Sequence, residues 1–158
     1  MVYRGHVANG IIQLEGSVIL PEGAEVRVEL ATDPNDAEFR VGIEQELDRL
    51  ASLPANWDRE GAPRIDPAII RAARGFIARL PPNVAPIPAV VPSAAGNLQF
   101  EWNAGRRSLE LEIESPATIY YLKWDPNEKV EEEDVFKIED AGRAVRLIQW
   151  FVRGLTDA

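Results

Sequence analysis

Alternating apolar and polar positions predict three short β-strands within the first thirty residues. Asn9-Gly10 stands between two apolar stretches, and both residues tolerate the positive φ of a type I′ hairpin turn. Pro21-Glu22-Gly23 suits a type I turn in which proline is the second residue and glycine the fourth. From Ala24 to Leu30 every second residue is apolar, which predicts a third, half-buried strand. Three strands this short form a marginal unit, so we expect a dimer partner or the rest of the chain to cover their apolar side chains.

Apolar residues at intervals of three and four predict three helices. Asp33-Pro34 and Asp66-Pro67 each combine a capping aspartate with proline at the first helical position, and Asp140 can cap the last helix. The first helix is expected to end before Pro54 and the second at Pro81-Pro82. Three apolar faces are predicted: Phe39, Ile43, Leu47, Leu50 and Ala51; Ile69, Ile70, Ala73, Phe76, Ile77 and Leu80; and Ala144, Val145, Ile148, Phe151 and Val152.

Between the second and third helices the period returns to two and predicts an antiparallel sheet. Leu98, Phe100 and Trp102 share a face, and Asn103-Ala104-Gly105 is expected to turn the chain. Further strand faces are Leu109, Leu111 and Ile113, alternating with Glu110, Glu112 and Glu114, and then Tyr120, Leu122 and Trp124. A fourth strand is expected within Glu132 to Ile138. We therefore predict an α+β fold with a three-stranded β-module over residues 1–32, and helices packed on an antiparallel sheet over residues 33–158.

Charge and composition exclude several classes of function. The chain of 158 residues has a net charge of −9. Residues 1–32 carry two basic and four acidic side chains, residues 33–80 seven and nine, and residues 81–158 eight and thirteen. Because every segment is negative, binding to a nucleic-acid backbone is disfavoured. No apolar run is long enough for a membrane helix and no signal peptide is visible, so a cytoplasmic location is expected.

The inventory of reactive side chains argues against an enzyme. The sequence has no cysteine, and its one histidine, His6, is expected to be a polar surface residue. The phosphate-loop spacings GxxxxGK[ST] and GxGxxG and the nucleophile motif GxSxG are all missing. We therefore expect no catalytic residues, no metal site and no cofactor.

Two segments are candidate partner-binding sites. Trp57 lies in a polar loop with Asn56 and Asp58, where the indole either pins the loop to the protein or anchors a partner. The favoured interpretation is structural, with the indole as a pin that holds the loop against the protein. Trp57 and Asp58 are also candidates for binding a partner. The acidic run Glu131, Glu132, Glu133 and Asp134 is expected to be a solvated loop or strand edge, with docking of a basic partner as the alternative.

Other charged groups are expected to be ordinary surface residues. Glu110, Glu112 and Glu114 are expected to form the wet face of a strand, which Glu101 on the neighbouring strand extends into an acidic stripe. Such solvated carboxylates are expected to keep ordinary pKa values. Arg106 and Arg107 are expected to be surface residues of a hairpin turn with no specific role.

Residues 3–30 resemble the short β-type, VapB-like antitoxins, in which an Asn-Gly hairpin precedes a Leu-Pro-Glu-Gly-x-x-Val-x-Val strand. The resemblance implies a prokaryotic protein from a toxin–antitoxin system. VapB proteins neutralise PIN-domain ribonucleases and can form dimers that bind their own promoter. Antitoxins of this type usually end in a short helical tail, whereas about 125 further residues follow here.

Residues 45–155 resemble a recurrent prokaryotic module that carries an Asn-Trp-Asp-x-x-Gly-Ala motif. The matching segments are Asn56-Trp57-Asp58, Gly61-Ala62-Pro63, Val90-Val91-Pro92 and Leu98-Gln99-Phe100-Glu101-Trp102. This resemblance implies one shared α+β domain and no particular activity.

The sequence therefore predicts a non-enzymatic, protein-binding factor that occludes a partner such as a basic nuclease toxin, in an antitoxin-like or defence-associated role. The alternative is a transcriptional autoregulator that binds DNA as a homodimer through the N-terminal module, with Arg4 and Arg27 as contacts. An enzyme of unfamiliar type is the third hypothesis, and it requires several carboxylates that converge in a buried pocket.

Overall fold

The computed structural model describes residues 3–8, 11–16, 18–29, 34–81 and 86–156. These ranges contain three helices and seven strands, with the following bounds: β1 Gly5–Ala8, β2 Ile11–Leu14, α1 Pro34–Ala51, α2 Pro67–Arg79, β3 Ala89–Pro92, β4 Leu98–Ala104, β5 Arg107–Ser115, β6 Thr118–Asp125, β7 Val130–Lys137 and α3 Ala141–Thr156. The mixed α+β class is confirmed. The chain divides into two compact units, Met1–Leu30 and Ala31–Ala158.

The N-terminal unit has two strands within its described residues, and the prediction of three is wrong. β1 and β2 pair antiparallel, with Gly5 opposite Leu14, while residues 24–29 form no strand. Val26 and Val28 keep 59% and 58% of their surface exposed. A period-two pattern shows which side chains would share a face, but a strand also needs a partner for its backbone, and this segment has none among the described residues. The predicted turn at Asn9-Gly10 lies outside the described residues.

The turn before this segment also differs from its prediction. The backbone N–H of Ala24 donates to the carbonyl of Pro21 at 3.1 Å, which makes Pro21 the first turn residue rather than the second. Gly23 is then the third residue and has a φ of 77°. A positive φ at that position is the signature of a type II turn, which glycine adopts without steric cost.

The second unit packs its helices onto a five-stranded antiparallel sheet with the order β3-β4-β5-β6-β7. Asp66 caps α2 by accepting a hydrogen bond from the backbone N–H of Ala68, and Asp140 accepts one from that of Arg143 near the start of α3. Both caps are confirmed, because each carboxylate satisfies a helix-terminal N–H that has no partner within the helix. Asp33, the predicted cap of α1, lies outside the described residues.

One hydrophobic core joins the helices to one face of the sheet. Most of the apolar positions predicted for the helices are buried, including Leu47 and Leu50 of α1, Phe76 of α2 and Ile148 of α3, whereas the predicted β6 face with Trp124 lies outside the core. Ala51 is exposed, contrary to prediction, because the chain leaves α1 at this residue. The sheet contributes the following side chains to the core: Val90, Leu98, Phe100, Trp102, Leu109, Leu111, Ile113, Ile119, Tyr121 and Phe136.

Helix α1 is fastened to the C-terminal end of α2 by one arginine. The guanidinium of Arg40 donates to the carbonyl oxygens of Ile77 and Leu80 at 2.8 and 2.9 Å, and its Nε donates to Asp36. These carbonyls lie at the C-terminal end of the helix, where they have no N–H partner within the helix and a nearby positive charge is stabilising.

None of the described helices is both long and apolar enough to cross a membrane.

Candidate protein-binding face

The sheet has a second face, opposite the core, which we call the open face. Directly opposed residues of antiparallel strands point to the same side of a sheet. The register places Glu101 opposite Glu110, Tyr120 opposite Val135 and Leu122 opposite Glu133, all of which alternate with core residues. These open-face side chains stay outside the core cluster and are half-buried or exposed. The open face is therefore available for contact with another molecule.

An apolar row runs along β6 on the open face. It consists of Tyr120, Leu122 and Trp124, and Val135 of β7 lies beside Tyr120. Trp124 keeps 37% of its surface exposed and Val135 46%. Tryptophan and tyrosine are enriched among the residues that dominate protein interfaces, because they combine a large apolar area with few rotatable bonds. This row is the most apolar part of the open face.

Two rows of carboxylates flank the apolar row, one on each neighbouring strand. On β5 the row is Glu110 and Glu112, which Glu114 continues, and on β7 it is Glu131 and Glu133. Among the described strands of this sheet, Lys137 near the end of β7 is the only basic side chain at an open-face position. The open face therefore combines exposed apolar surface with a strong excess of negative charge.

The carboxylates on β5 are less solvated than the sequence suggests. Glu110 and Glu112 are half-buried, and they accept hydrogen bonds from Gln99 at 2.8 Å and from Asn97 at 3.0 Å. Burial, together with the charge of Glu101 on the neighbouring strand, raises the pKa of Glu110. The expectation of an ordinary pKa is therefore wrong for Glu110, because a carboxylate between strands loses water and gains a like-charged neighbour.

Tyr120 links the apolar row to the carboxylates of β7. Its hydroxyl donates a hydrogen bond of 2.5 Å to Glu133. This bond and the nearby negative charges raise the pKa of Tyr120 to about 12. The tyrosine is therefore neutral over the physiological range, and the bond fixes the orientation of both side chains on the open face.

The acidic run lies in strand β7 and not in a loop, and its side chains divide between the two sides of the sheet. Glu131 and Glu133 belong to the open face, whereas Glu132 and Asp134 lie opposite Lys123 and Tyr121 on the helix-covered side. On that side Glu132 pairs with Lys123 at 2.7 Å and accepts from the Tyr121 hydroxyl at 2.6 Å. The bonds from Lys123 and Tyr121 lower the pKa of Glu132. Half of the run therefore stabilises the fold.

Asp134 completes this polar network at the β7 edge. Arg143 of α3 donates to Asp134 at 3.1 Å and to the Tyr121 hydroxyl at 3.0 Å. The network connects the edge strand to the helix that covers it. Asp134 is thus engaged in an intramolecular contact, and of the four predicted acidic residues only Glu131 and Glu133 remain candidates on the open face.

The loop that carries Trp57 and Asp58 is organised by its own hydrogen bonds. Asp58 accepts from the backbone N–H groups of Glu60 and Ala62 at 2.9 and 3.0 Å, and these bonds lower its pKa. Asn56 has a φ of 63°, a left-handed conformation that asparagine tolerates better than most residues. The indole of half-buried Trp57 donates to the carbonyl of Pro63 at 3.2 Å. These contacts fit the interpretation of a structural pin.

The two predicted sites do not come together. Gly96 in the turn between β3 and β4 packs so closely on Pro63 that a Cβ at this glycine would lie 3.0 Å from the proline Cγ. The Trp57 loop therefore lies beside the β3–β4 end of the sheet, whereas Glu131–Asp134 lie in β7, the opposite edge strand.

A buried charged cluster that was not expected from the sequence lies beneath α3. Arg107, expected in a turn, is the first residue of β5 and retains only 8% of its surface. It pairs with buried Asp125 at 3.4 Å and with Glu128 at 3.0 Å, and its guanidinium lies 4.1 Å from the ring centre of Trp150. The turn consists of Gly105-Arg106, not of residues 103–105. The period-two spacing from Arg107 to Leu109 and Leu111 was the available signal, because it puts the arginine on the core side.

In the N-terminal unit the candidate residues Arg4 and Arg27 are exposed. Arg27 forms an ion pair with Glu29 at 2.9 Å, which offsets its charge, and Arg4 contributes its backbone carbonyl to a bond from Glu15. His6 is exposed on β1, opposite Gln13.

In the parts of the chain that the structure describes, no group of three or more histidine, aspartate or glutamate side chains converges in an arrangement suited to a metal ion. No protein-family model, no curated protein and no solved structure matches this chain.

Proposed function

We propose that this chain is a non-enzymatic, protein-binding factor whose open face covers a basic surface of another protein. The observation that carries the proposal is the apolar row on β6 between the carboxylate rows of β5 and β7, in which Tyr120 and Leu122 are half-buried and Trp124 is exposed. A surface that is apolar in the middle and charged at its rim has the composition of a protein interface. Its charge specifies a partner of the opposite sign.

The electrostatics of the free protein also support a basic partner. Glu101 lies directly opposite Glu110, and like charges in this position destabilise a sheet. Burial raises the pKa of Glu110, and the charge of Glu101 raises it further. Lysine or arginine side chains of a partner would relieve this repulsion on binding, so part of the cost in the free chain would be recovered in the complex.

The biological role that we propose is antitoxin-like or defence-associated. The likeness of residues 3–30 to short β-type antitoxins supports this role, and so does the acidic open face. An enzyme that acts on nucleic acid presents a basic surface to the phosphate backbone. A nuclease toxin is therefore a suitable partner, and occlusion of its basic surface would inhibit it without any chemistry on the part of this chain.

The experiment compares retention of a partner by the wild-type chain and by a variant with two charge reversals on the open face, Glu112→Lys with Glu133→Lys. The full chain is tagged and purified from its native host at physiological salt, and the retained protein is identified and tested for nuclease activity. A matched control reverses two exposed glutamates outside the sheet, Glu38→Lys with Glu60→Lys. All three proteins are checked for an intact fold by circular dichroism.

We expect the wild-type and control chains to retain the same basic protein and to inhibit its activity at equal stoichiometry. The open-face variant should lose both properties. Retention of the partner by the open-face variant, or loss of the partner by the control alone, would contradict the proposal. Retention of no protein by the wild-type chain would also count against it.

A further inference from the structure

The apolar row of the open face is only one strand wide. Tyr120, Leu122 and Trp124 all belong to β6. The six residues opposite them on β5 and β7 are four glutamates, Ser108 and one apolar residue, Val135 beside Tyr120. A second sheet packed on this face would need apolar positions on several adjacent strands, since sheets bury a broad surface against each other. The shape of the apolar surface therefore favours one narrow, elongated element.

The spacing between the carboxylate rows matches the width of an α-helix. Neighbouring strands lie about 4.8 Å apart, so the rows on β5 and β7 are separated by roughly 10 Å. A helix with its side chains is about 10–12 Å across. A helix that lay along β6 would therefore place its apolar ridge on the middle row and its two flanks over the carboxylates.

The spacing along β6 matches a helix as well. Alternate residues of a strand are about 6.8 Å apart, whereas residues four apart in a helix advance about 6 Å. The row from Tyr120 to Trp124 thus spans roughly 14 Å, or about two and a half helical turns. Three apolar side chains at helical spacing would meet these three residues in turn.

An extended partner segment fits the open face poorly. A peptide that lay flat on the sheet would have to bury backbone N–H and C=O groups against side chains that supply few donors, whereas a helix satisfies those groups internally. A second copy of the open face would oppose glutamates with glutamates, which is unfavourable. Of the three kinds of partner element, a positively charged helix therefore fits the open face best.

We infer that the segment recognised by the open face is an amphipathic, basic α-helix that lies along β6, an inference that rests on the proposed function. Its apolar ridge contacts Tyr120, Leu122 and Trp124. Lysine or arginine side chains on one flank meet Glu110 and Glu112, and those on the other flank meet Glu131 and Glu133. The partner thus contributes a preformed or induced helix, and specificity comes from the spacing of its two basic rows.

The test uses two synthetic peptides of identical lysine–leucine composition and about 14 residues, roughly four helical turns. In the first peptide the leucines follow the pattern i, i+3, i+4, i+7, i+8 and so on, which places about half of the residues on one face of a helix. In the second, leucine and lysine alternate strictly, as in a strand. Fluorescence anisotropy with the full chain measures both dissociation constants, and circular dichroism reports the helicity of the peptides.

Two variants of the protein locate the contact. Leu122→Ser removes the centre of the apolar row, and Val91→Ser removes an apolar residue from the same face of β3, three strands away. Loss of a buried leucine contact is expected to weaken binding of the helical peptide about tenfold or more. Val91→Ser is expected to leave binding unchanged, and thermal melts verify that both variants fold.

Tighter binding of the helical peptide, with weakening by Leu122→Ser alone, would support the inference. Equal or tighter binding of the alternating peptide would overturn it, as would equal effects of the two variants. If neither peptide bound while the natural partner still depended on Glu112 and Glu133, the helix inference would fail and the proposed function would stand. If the partner were indifferent to those two charges, both would fail.

Discussion

The guanidinium of Arg107 passes so close to Gly154 of α3 that a methyl group at this glycine would lie 1.3 Å from the arginine Nη1. The arginine is held there by Asp125, 3.4 Å away, and by the ring of Trp150. A side chain at position 154 would therefore require the guanidinium of Arg107 to move away from its present partners. The last turns of α3, the start of β5 and the end of β6 meet at this point.

The substitution Gly154→Ala is expected to lower the free energy of unfolding by about 1–3 kcal/mol, the usual cost of overpacking. Gly42→Ala in α1 is the matched control. No atom lies within 4 Å of a Cβ at that position. Since alanine favours helix, we expect a gain of roughly 0.5–1 kcal/mol. Urea denaturation measures both. In an Arg107→Ala background the cost of Gly154→Ala should largely disappear, and simple additivity of the two substitutions would refute the contact.

The variant Asp125→Asn is expected to cost about 3 kcal/mol of unfolding free energy, because it leaves the buried charge of Arg107 without its buried partner. The carboxylate of Asp125 also accepts the backbone N–H of Asn127 at 2.8 Å, a bond that asparagine can retain. Glu128→Gln, in which the partner side chain is 55% exposed, should cost less than about 1 kcal/mol. If chemical denaturation showed equal losses of unfolding free energy for the two variants, burial of Asp125 would not increase its contribution to stability.

The variant Asp58→Ala should destabilise the protein at neutral pH and progressively less in acid. Backbone bonds from Glu60 and Ala62 lower the pKa of Asp58, so its stabilisation is complete above the ordinary aspartate pKa and is lost as the pH falls through the lowered folded-state value. The melting temperatures of wild type and variant should therefore converge below about pH 4. Amide hydrogen exchange at Glu60 and Ala62 should quicken in the variant. Glu60→Gln, which keeps the loop bonds, should follow the wild type at every pH.

The variant Glu110→Gln should raise the melting temperature at neutral pH. Burial and Glu101 raise the pKa of Glu110, so in the wild type stability is highest when this carboxyl is protonated and falls as the pH rises through the raised folded-state value. The advantage of the variant should accordingly vanish below about pH 4, where glutamate is protonated in both states. Glu114→Gln, at an exposed position on the same strand, should change the melting temperature little. A lower melting temperature for Glu110→Gln at neutral pH would contradict this account.

Much of the secondary structure of the second unit followed from local chemistry. Asp66 and Asp140 were recognisable as caps because a carboxylate before a helix can satisfy only nearby N–H groups. The alternation on β5 predicted which side chains are buried, since successive strand residues point to opposite faces. The same rule applied to residues 24–29 predicted a strand that is absent, because pairing depends on residues elsewhere in the chain.

The candidate site was predicted less well than the fold. The four acidic residues from Glu131 to Asp134 stood out as one run, but adjacent residues in a strand cannot serve one surface. Arg106 and Arg107 were assigned together to a hairpin turn, but only Arg106 lies in it, and a single position decides whether a side chain reaches solvent or the core.

The sequence by itself determined the α+β class, the helix caps and the alternation on β5 that separates Leu109 and Leu111 from Glu110, because each of these depends on neighbours within a few residues. Only the tertiary structure decided that the apolar row of β6 lies between the carboxylates of β5 and β7, and that Arg107 meets Asp125, Trp150 and Gly154. Both arrangements join residues far apart in the chain. They are fixed by strand register and helix packing, which a local pattern does not specify.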